Sequence, residues 1–188
     1  PLTLINGPLE NILLKKTVDP EIREDLNIMK QNTERLLSLT NQLLDFRKTE
    51  SQGFRLNFAE CNVTEVLKET YNRFTSLARQ RELDFVLNVG EQDFYAHVNK
   101  EAFTKIVSNL LNNAVKYAET YVHVFLEMNG IGEKRMFYIR TVNDGVIIPN
   151  EMKEEIFKPF VRFNEKEDGK VTTGTGIGLA LSLSLIHI

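Results

Sequence analysis

Cysteine is nearly missing from this sequence: Cys61 stands alone among 188 residues. One thiol builds neither a disulfide framework nor a cysteine zinc site within the chain, so Cys61 reads as a small apolar residue. Histidine is almost as scarce. His97, His123 and His187 share no metal-ligand spacing, and the first two sit in strand-like alternations that suit a structural role. No apolar run is long enough to cross a bilayer, and no basic-then-apolar leader opens the chain. The net charge of −3 supplies neither the basic footprint of a nucleic-acid binder nor a surface drawn to anionic lipid. Internal repeats and low-complexity segments are absent too.

What remains is a globular composition, with 42% hydrophobic and 26% charged residues. It suffices for one large domain or two small ones with a real core. Two segments differ in pattern. From Pro1 to about Arg47 the periodicity is helical. Leu2, Ile5, Leu9 and Ile12 form one stripe, a break falls at Thr17–Pro20, and a second stripe runs through Ile22, Leu26, Met29, Thr33, Leu36, Thr40 and Leu43. Alternating steps of three and four make the second stripe a coiled-coil-like seam, widened by Leu37 and Leu44. Two helices around a short break predict an antiparallel hairpin that needs a second copy to complete a four-helix bundle. Pro8 should kink the first helix or loosen its hydrogen bonding. Lys48–Gly53 is polar and reads as a linker.

Beyond it, helix and strand patterns mix. Val63–Arg79 is an amphipathic helix with Asn62 as its N-cap. Leu83–Val89 and Phe94–Val98 look like strands, and Lys100–Ala118 is a strong helix. Tyr121–Met128 and Met136–Val142 alternate as antiparallel strands around a turn at Asn129–Glu133. A long irregular stretch, Pro149–Thr175, leads to a last helix starting near Gly176. The expected fold class is α+β, a helical hairpin followed by an α/β sandwich with its helices on one sheet face.

Four places carry possible chemistry. On the helix Lys100–Ala118, Phe103, Ile106, Val107, Leu110, Leu111, Ala114 and Val115 fill one arc, and Lys105, Asn109, Asn112, Asn113 and Lys116 the rest. Asparagine is a poor helix former, so three on one flank are either a solvated face or ligands. Asn109 and Asn113, four apart, point side-chain oxygens the same way, and oxygen donors suit Mg²⁺. Thr173-Gly174-Thr175-Gly176-Ile177-Gly178-Leu179 opens a helix, where glycines let backbone N–H groups approach an anion. The same run also fits a plain flexible loop. It has neither the spacing of a dinucleotide fingerprint nor the lysine of a Walker A loop. Asn143-Asp144-Gly145 alone reads as a turn. Phe157 and Phe160, in Phe157-Lys158-Pro159-Phe160-Val161-Arg162, are either core residues or pins for a mobile lid over Pro149–Thr175.

In this order and spacing the four resemble the boxes of the histidine protein kinases, within the gyrase and histidine-kinase ATPase superfamily. Asn109-Leu-Leu-Asn-Asn113-Ala-Val-Lys116-Tyr117 resembles the asparagine box. Asn143-Asp144-Gly145-Val-Ile147-Ile148-Pro149 resembles the first glycine box, Phe157 to Arg162 the phenylalanine box, and Gly174 to Leu179 the second glycine box. Pro1-Leu2-Thr3-Leu4-Ile5 resembles the tail of the phosphoacceptor box. The wording Asn-Gln-Leu-Leu-Asp-Phe-Arg at 41–47 and the Asn-Asp-Gly box resemble hybrid kinases of gut Bacteroidetes.

The resemblance implies a dimerisation and phosphotransfer hairpin at 1–50 and an ATP-binding domain at 51–188. It implies ATP and Mg²⁺ as cofactors, with Asn109 and Asn113 on the metal, Lys116 on a phosphate and Tyr117 beside the adenine. Asn143, with Asp144 one residue away, takes the place of the family's adenine-binding aspartate. Gly145, Ile148, Phe157, Phe160, Arg162, Thr173, Gly174, Thr175, Gly176, Ile177, Gly178 and Leu179 complete the nucleotide-contacting set. The implied reaction passes the γ-phosphoryl group to a histidine and then to an aspartate of a response-regulator receiver domain. The implied partner is a second copy through the hairpin, with no nucleic-acid or membrane contact by this segment. The implied setting is the cytoplasmic portion of an inner-membrane-anchored sensor.

Departures from the family shape further expectations. The acceptor histidine would lie five residues before Pro1, so no catalytic histidine is expected here and no self-phosphorylation. Asn143 accepts a neutral rather than a charge-assisted bond, and Ile147 stands where a second glycine is usual. The family's later strands are not represented, and Ser182–Ile188 matches it poorly. Topoisomerase, chaperone and mismatch-repair ATPases of the superfamily carry a glutamate four residues before the first asparagine, where this chain has Lys105. A nucleotide-responsive scaffold without catalysis is the other alternative, for which Asn143 and Ile147 leave room.

Overall fold

The computed structural model describes residues 3–15, 19–50, 57–130, 136–163 and 174–186. Two helices open the chain, α1 (Thr3–Leu13) and α2 (Pro20–Glu50). Pro20 belongs to the second helix rather than to the break. Proline is pre-set for a first helical position, where its missing N–H costs nothing, and the Asp19 carboxylate accepts the Glu21 N–H at 2.9 Å. The hairpin is closed by Arg23, whose guanidinium donates to the carbonyls of Leu13 and Lys15, each at 2.9 Å. Further along, Lys30 pairs with Glu10 at 3.1 Å, and Leu9 and Thr33 are buried between the helices. The helix α1 runs through Pro8, which removes the helical donor to the Leu4 carbonyl. Lys48–Glu50, expected in the linker, are the last turn of α2; residues 51–53 of that expectation lie outside the described residues.

The second segment folds in the order β1 (Ala59–Asn62), α3 (Val63–Asn72), α4 (Thr75–Gln80), β2 (Asp84–Val89), β3 (Tyr95–Val98), α5 (Lys100–Tyr117), β4 (Tyr121–Asn129) and β5 (Met136–Asn143). Two single 3₁₀ turns, Asn150–Met152 and Glu155–Phe157, then lead to α6 (Gly178–Ile186). One sheet has the order β2-β4-β5, with β2 parallel to β4 and β4 antiparallel to β5. The parallel pair requires a crossover, and α5 lies within it. A smaller antiparallel pair, β1 with β3, runs from Ala59 opposite Val98 to Asn62 opposite Tyr95.

Asn62 caps α3 as expected, its side-chain oxygen accepting the Glu65 N–H at 3.1 Å. The single helix expected over Val63–Arg79 is broken. The N–H groups of Arg73 and Phe74 turn back three residues to Thr70 and Tyr71, tightening the end of α3. The Thr75 hydroxyl donates to the Asn72 carbonyl at 2.8 Å, and α4 starts there.

The core lies between helices and sheet. Val63, Val66 and Leu67 of α3 meet Phe103, Val107, Leu111 and Val115 of α5 over Val122, Val124 and Leu126 of β4. Each large aliphatic side chain buried this way contributes roughly 1.5–3 kcal/mol. The helix α5 has a second apolar edge. Ala102 and Ile106 pack with Ile177 and Leu181 near α6 and with Leu39 and Phe46 of α2. This second cluster, absent from a reading of the helices one at a time, seats the hairpin on the α/β unit.

Candidate functional site

The C-terminal half of α5 is the floor of the site. Its apolar arc is fixed in the core, so the asparagine flank faces away from the sheet. Asn109 and Asn113 are half-buried there, one turn apart. The Asn109 amide nitrogen donates to the Gly178 carbonyl at 3.0 Å and to Ser182 Oγ at 3.1 Å. It therefore ties α5 to the first turn of α6. A Cβ added to Gly178 would stand 3.4 Å from Asn109 Oδ1, so this glycine packs directly on the asparagine oxygen.

At the end of α5, Lys116 Nζ meets the Tyr117 hydroxyl at 2.8 Å and lies 4.4 Å from the centre of the Tyr117 ring. A Cβ on Gly174 would stand 2.6 Å from the same ammonium. The opening glycine of the second glycine box thus leaves the space that the Lys116 cation occupies. Gly145 approaches from the other side. A Cβ there would lie 1.9 Å from the Tyr117 carbonyl oxygen and 2.9 Å from Asn143 Nδ2. Only glycine lets the β5 exit pass so close to the α5 terminus.

Asp144 has another occupation than ligand binding. Its carboxylate accepts the backbone N–H groups of Glu119, Thr120 and Tyr121 at 3.0–3.2 Å and the Thr120 hydroxyl at 2.5 Å. The Thr120 hydroxyl first, and the backbone donors with it, hold this carboxyl well below the usual carboxylate range despite some desolvation. Asp144 braces the turn from α5 into β4. Its neighbour Asn143 ends β5, half-buried and paired across the sheet with Val122.

Of the two alternatives for Phe157 and Phe160, the core one does not hold for Phe160, which is 63% exposed against 37% for Phe157. What ties this segment down is main chain. The Phe160 N–H donates to the Gly176 carbonyl at 2.8 Å. Phe160 has φ +66° and Gly176 φ +70°, left-handed conformations costly for phenylalanine and free for glycine. A Cβ on Gly176 would stand 2.8 Å from the Phe160 carbonyl carbon, so the two boxes touch main chain to main chain. Ile177 is buried, whereas Leu179 and Ile148 are partly exposed and Arg162 and Ile147 lie at the surface. Thr173, and the lid expected over 164–173, lie outside the described residues.

Reasoning from sequence missed the part played by α2. Gln42 Oε1 accepts the Thr175 hydroxyl at 2.6 Å, and that hydroxyl oxygen also accepts the Ile177 N–H at 3.3 Å. Lys105 bridges Asp45 of α2 at 3.0 Å and Glu101 of its own helix at 2.9 Å. Burial draws its pKa down, but the bonds to Glu101 and Asp45 outweigh that and hold the ammonium above its ordinary value. The only sequence signal was that Leu39, Gln42, Asp45 and Phe46 recur at helical spacing, on a face beside the expected dimer seam.

Among the described residues no group of His, Cys, Asp and Glu is placed to hold a metal ion by itself. A divalent cation here would rest on asparagine oxygens, water and ligand phosphates, a donor set that suits Mg²⁺. With a lysine ammonium against a glycine loop at a helix start, the arrangement fits a magnesium-bound polyphosphate. No described helix is long and apolar enough to cross a membrane.

Comparison with known proteins bears on the same region. Residues 98–187 match the family described as histidine kinase-, DNA gyrase B- and HSP90-like ATPase. The chain is similar to histidine kinase P4 of Formosa agariphila, 29% identical over 94% of this chain and 13% of that protein. It is 30% identical to hybrid signal transduction histidine kinase D of Dictyostelium discoideum, over 100% of this chain and 12% of that protein. It thus spans only a small part of the curated relatives it matches. Among solved structures, full-length ShkA in complex with AMPPNP superposes with a TM-score of 0.74 at 24% identity, covering 97% of this chain and 38% of that one.

Proposed function

We propose that the chain, whose residues 98–187 match the family described as histidine kinase-, DNA gyrase B- and HSP90-like ATPase, is the Mg·ATP-binding part of a two-component sensor histidine kinase. The observation that carries the reading is the seat of the second glycine box on the asparagine-box helix, Gly174 against Lys116 and Gly178 against Asn109. Asn109 and Asn113 offer amide oxygens to Mg²⁺. Lys116 meets a phosphate as a point charge, and the free N–H groups at the start of α6 face the same anion. Asn143 accepts from the adenine amino group beside Tyr117, since the Asp144 carboxylate is spent on residues 119–121. ATP supplies the γ-phosphoryl group for a histidine of the phosphoacceptor box, upstream of Pro1, and then for a receiver-domain aspartate. The work of these residues is positioning and charge neutralisation.

In this reading residues 1–50 are the dimerisation and phosphotransfer hairpin and 51–188 the ATP-binding domain, on the cytoplasmic side of an inner-membrane-anchored sensor. The hairpin supports a second copy as partner, because Met29, Leu36 and Leu43 of its seam are exposed in the single chain. The test supplies the acceptor. A chain extended upstream through the phosphoacceptor box, incubated with Mg²⁺ and ATP radiolabelled at the γ-phosphate, should acquire acid-labile label and pass it to a receiver domain. An extended chain that binds ATP and never takes up label would contradict the kinase assignment and leave a nucleotide-responsive scaffold.

A further inference from the structure

One face of α2 is turned toward the ATP-binding unit along its length. At its lower end Leu39 and Phe46 pack on α5 and α6, and Gln42 holds Thr175. Nearer the hairpin turn the two surfaces separate and flank an open cleft of about 680 Å³. Asn32, Arg35 and Ser38 of α2 line one wall, and Asn112, Lys116 and Gly174 line the other. That volume lies within the range of roughly 300–1,000 Å³ usual for ligand sites.

The charge in this cleft is one-sided. Among the described residues no aspartate or glutamate lines it, while Arg35, Arg81 and Lys116 all do. The Arg81 guanidinium is engaged, donating to the carbonyls of Val115 and Ala118 at the end of α5. Lys116 meets, among the described residues, only a neutral hydroxyl and an aromatic face. Among the described residues Arg35 has no acidic partner. Like charges lining one cleft repel unless an anion joins them. Arginine suits a phosphate best, because its planar fork of N–H groups can bind two oxygens at once.

We propose that Arg35 is a phosphate-binding residue of the nucleotide site, supplied by the hairpin helix across the cleft from Lys116. The inference rests on the Mg·ATP reading above and adds a second wall to it. Its ligand is the polyphosphate end of a nucleoside triphosphate, with the terminal phosphates between Lys116 and Arg35. Arg35 lies two helical turns from the Gln42–Thr175 bond on the same face, about 10 Å along the axis. Nucleotide bound there bridges hairpin and ATP-binding domain, so the site is complete only while α2 is docked.

The test uses the whole chain. Affinities for ATP, ADP and adenosine, each with Mg²⁺, are measured by calorimetry for the wild type, Arg35→Gln and Arg35→Lys. Arg35 is exposed, so both variants should keep the wild-type circular dichroism. Arg35→Gln should weaken ATP roughly tenfold, the size of one charge-assisted contact, and leave adenosine unchanged. Arg35→Lys, which keeps charge but not the fork, should fall between. Inorganic tripolyphosphate should compete with ATP in the wild type and lose that ability in Arg35→Gln. ATP affinity within about twofold of wild type in a folded Arg35→Gln chain would overturn the proposal while the nucleotide site stands. A folded wild type that binds neither ATP nor ADP would bring down both.

Discussion

At the scale of single residues, the boxes of this site are held together by what glycine omits and by what polar side chains do for the backbone. Gly145, Gly174 and Gly176 each stand where a Cβ would press on another box. Asp144 shows how a motif residue can serve the frame rather than the ligand. Because its folded-state pKa is depressed, its contribution is complete above about pH 4 and is lost as the pH falls through the acid range. Asp144→Asn should therefore lower the thermal midpoint at pH 7, and the gap to wild type should close on acidification. Thermal melts at both pH values check this, and an equal gap at each would mean that the carboxylate's charge does not matter there. Composition could identify Asn-Asp-Gly as a turn. It could not say which carboxyl would meet residues 119–121, because those donors are more than twenty positions earlier.

At the scale of elements, legibility followed burial. The helix α5 was readable because its arc from Phe103 to Val115 is fixed by one sheet, and Asn62 because a cap is a local bond. The strand β1 was not. Ala59-Glu60-Cys61-Asn62 has no alternation, and only pairing with β3 makes it extended. The break between α3 and α4 escaped because nothing at Arg73–Phe74 interrupts the apolar period. Pro20 ends a break in the apolar stripe, yet it is a first-turn residue of α2. The seam of α2 is where pattern and structure together make a prediction. Leu36 is 51% exposed in the single chain, and burying such a side chain is worth about 1.5–3 kcal/mol, counted twice in a symmetric pair. Leu36→Asp should split the dimer in light scattering while leaving circular dichroism of the α/β unit intact. A wild-type chain that scatters as a monomer, in the upstream-extended form as well, would remove the hairpin as a dimer interface.

For the molecule as a whole, the second glycine box is gripped from two directions. Asn109 holds the start of α6 from α5, and Gln42 holds Thr175 from α2, with Asp45–Lys105 fastening the same seam. The ion pair also accounts for Lys105, which joins hairpin to domain. That seam was illegible beforehand because Gln42 and Asp45 are polar, and polar positions on a helix read as solvent-facing until a partner is known. The exposed ring and pinning main chain of Phe160 are hidden for a related reason, since a phenylalanine's backbone angle leaves no mark in a hydrophobic pattern. The proposed Mg·ATP site on α5 is tested by calorimetry of ATP against the folded chain, with Mg²⁺ and then with chelator. Saturable ATP binding that Mg²⁺ strengthens is expected, and an Asn113→Ala chain with the wild-type melting temperature whose ATP affinity no longer responds to Mg²⁺. A folded chain giving no ATP heat in either condition, or an Asn113→Ala variant with an undiminished Mg²⁺ response, would contradict it.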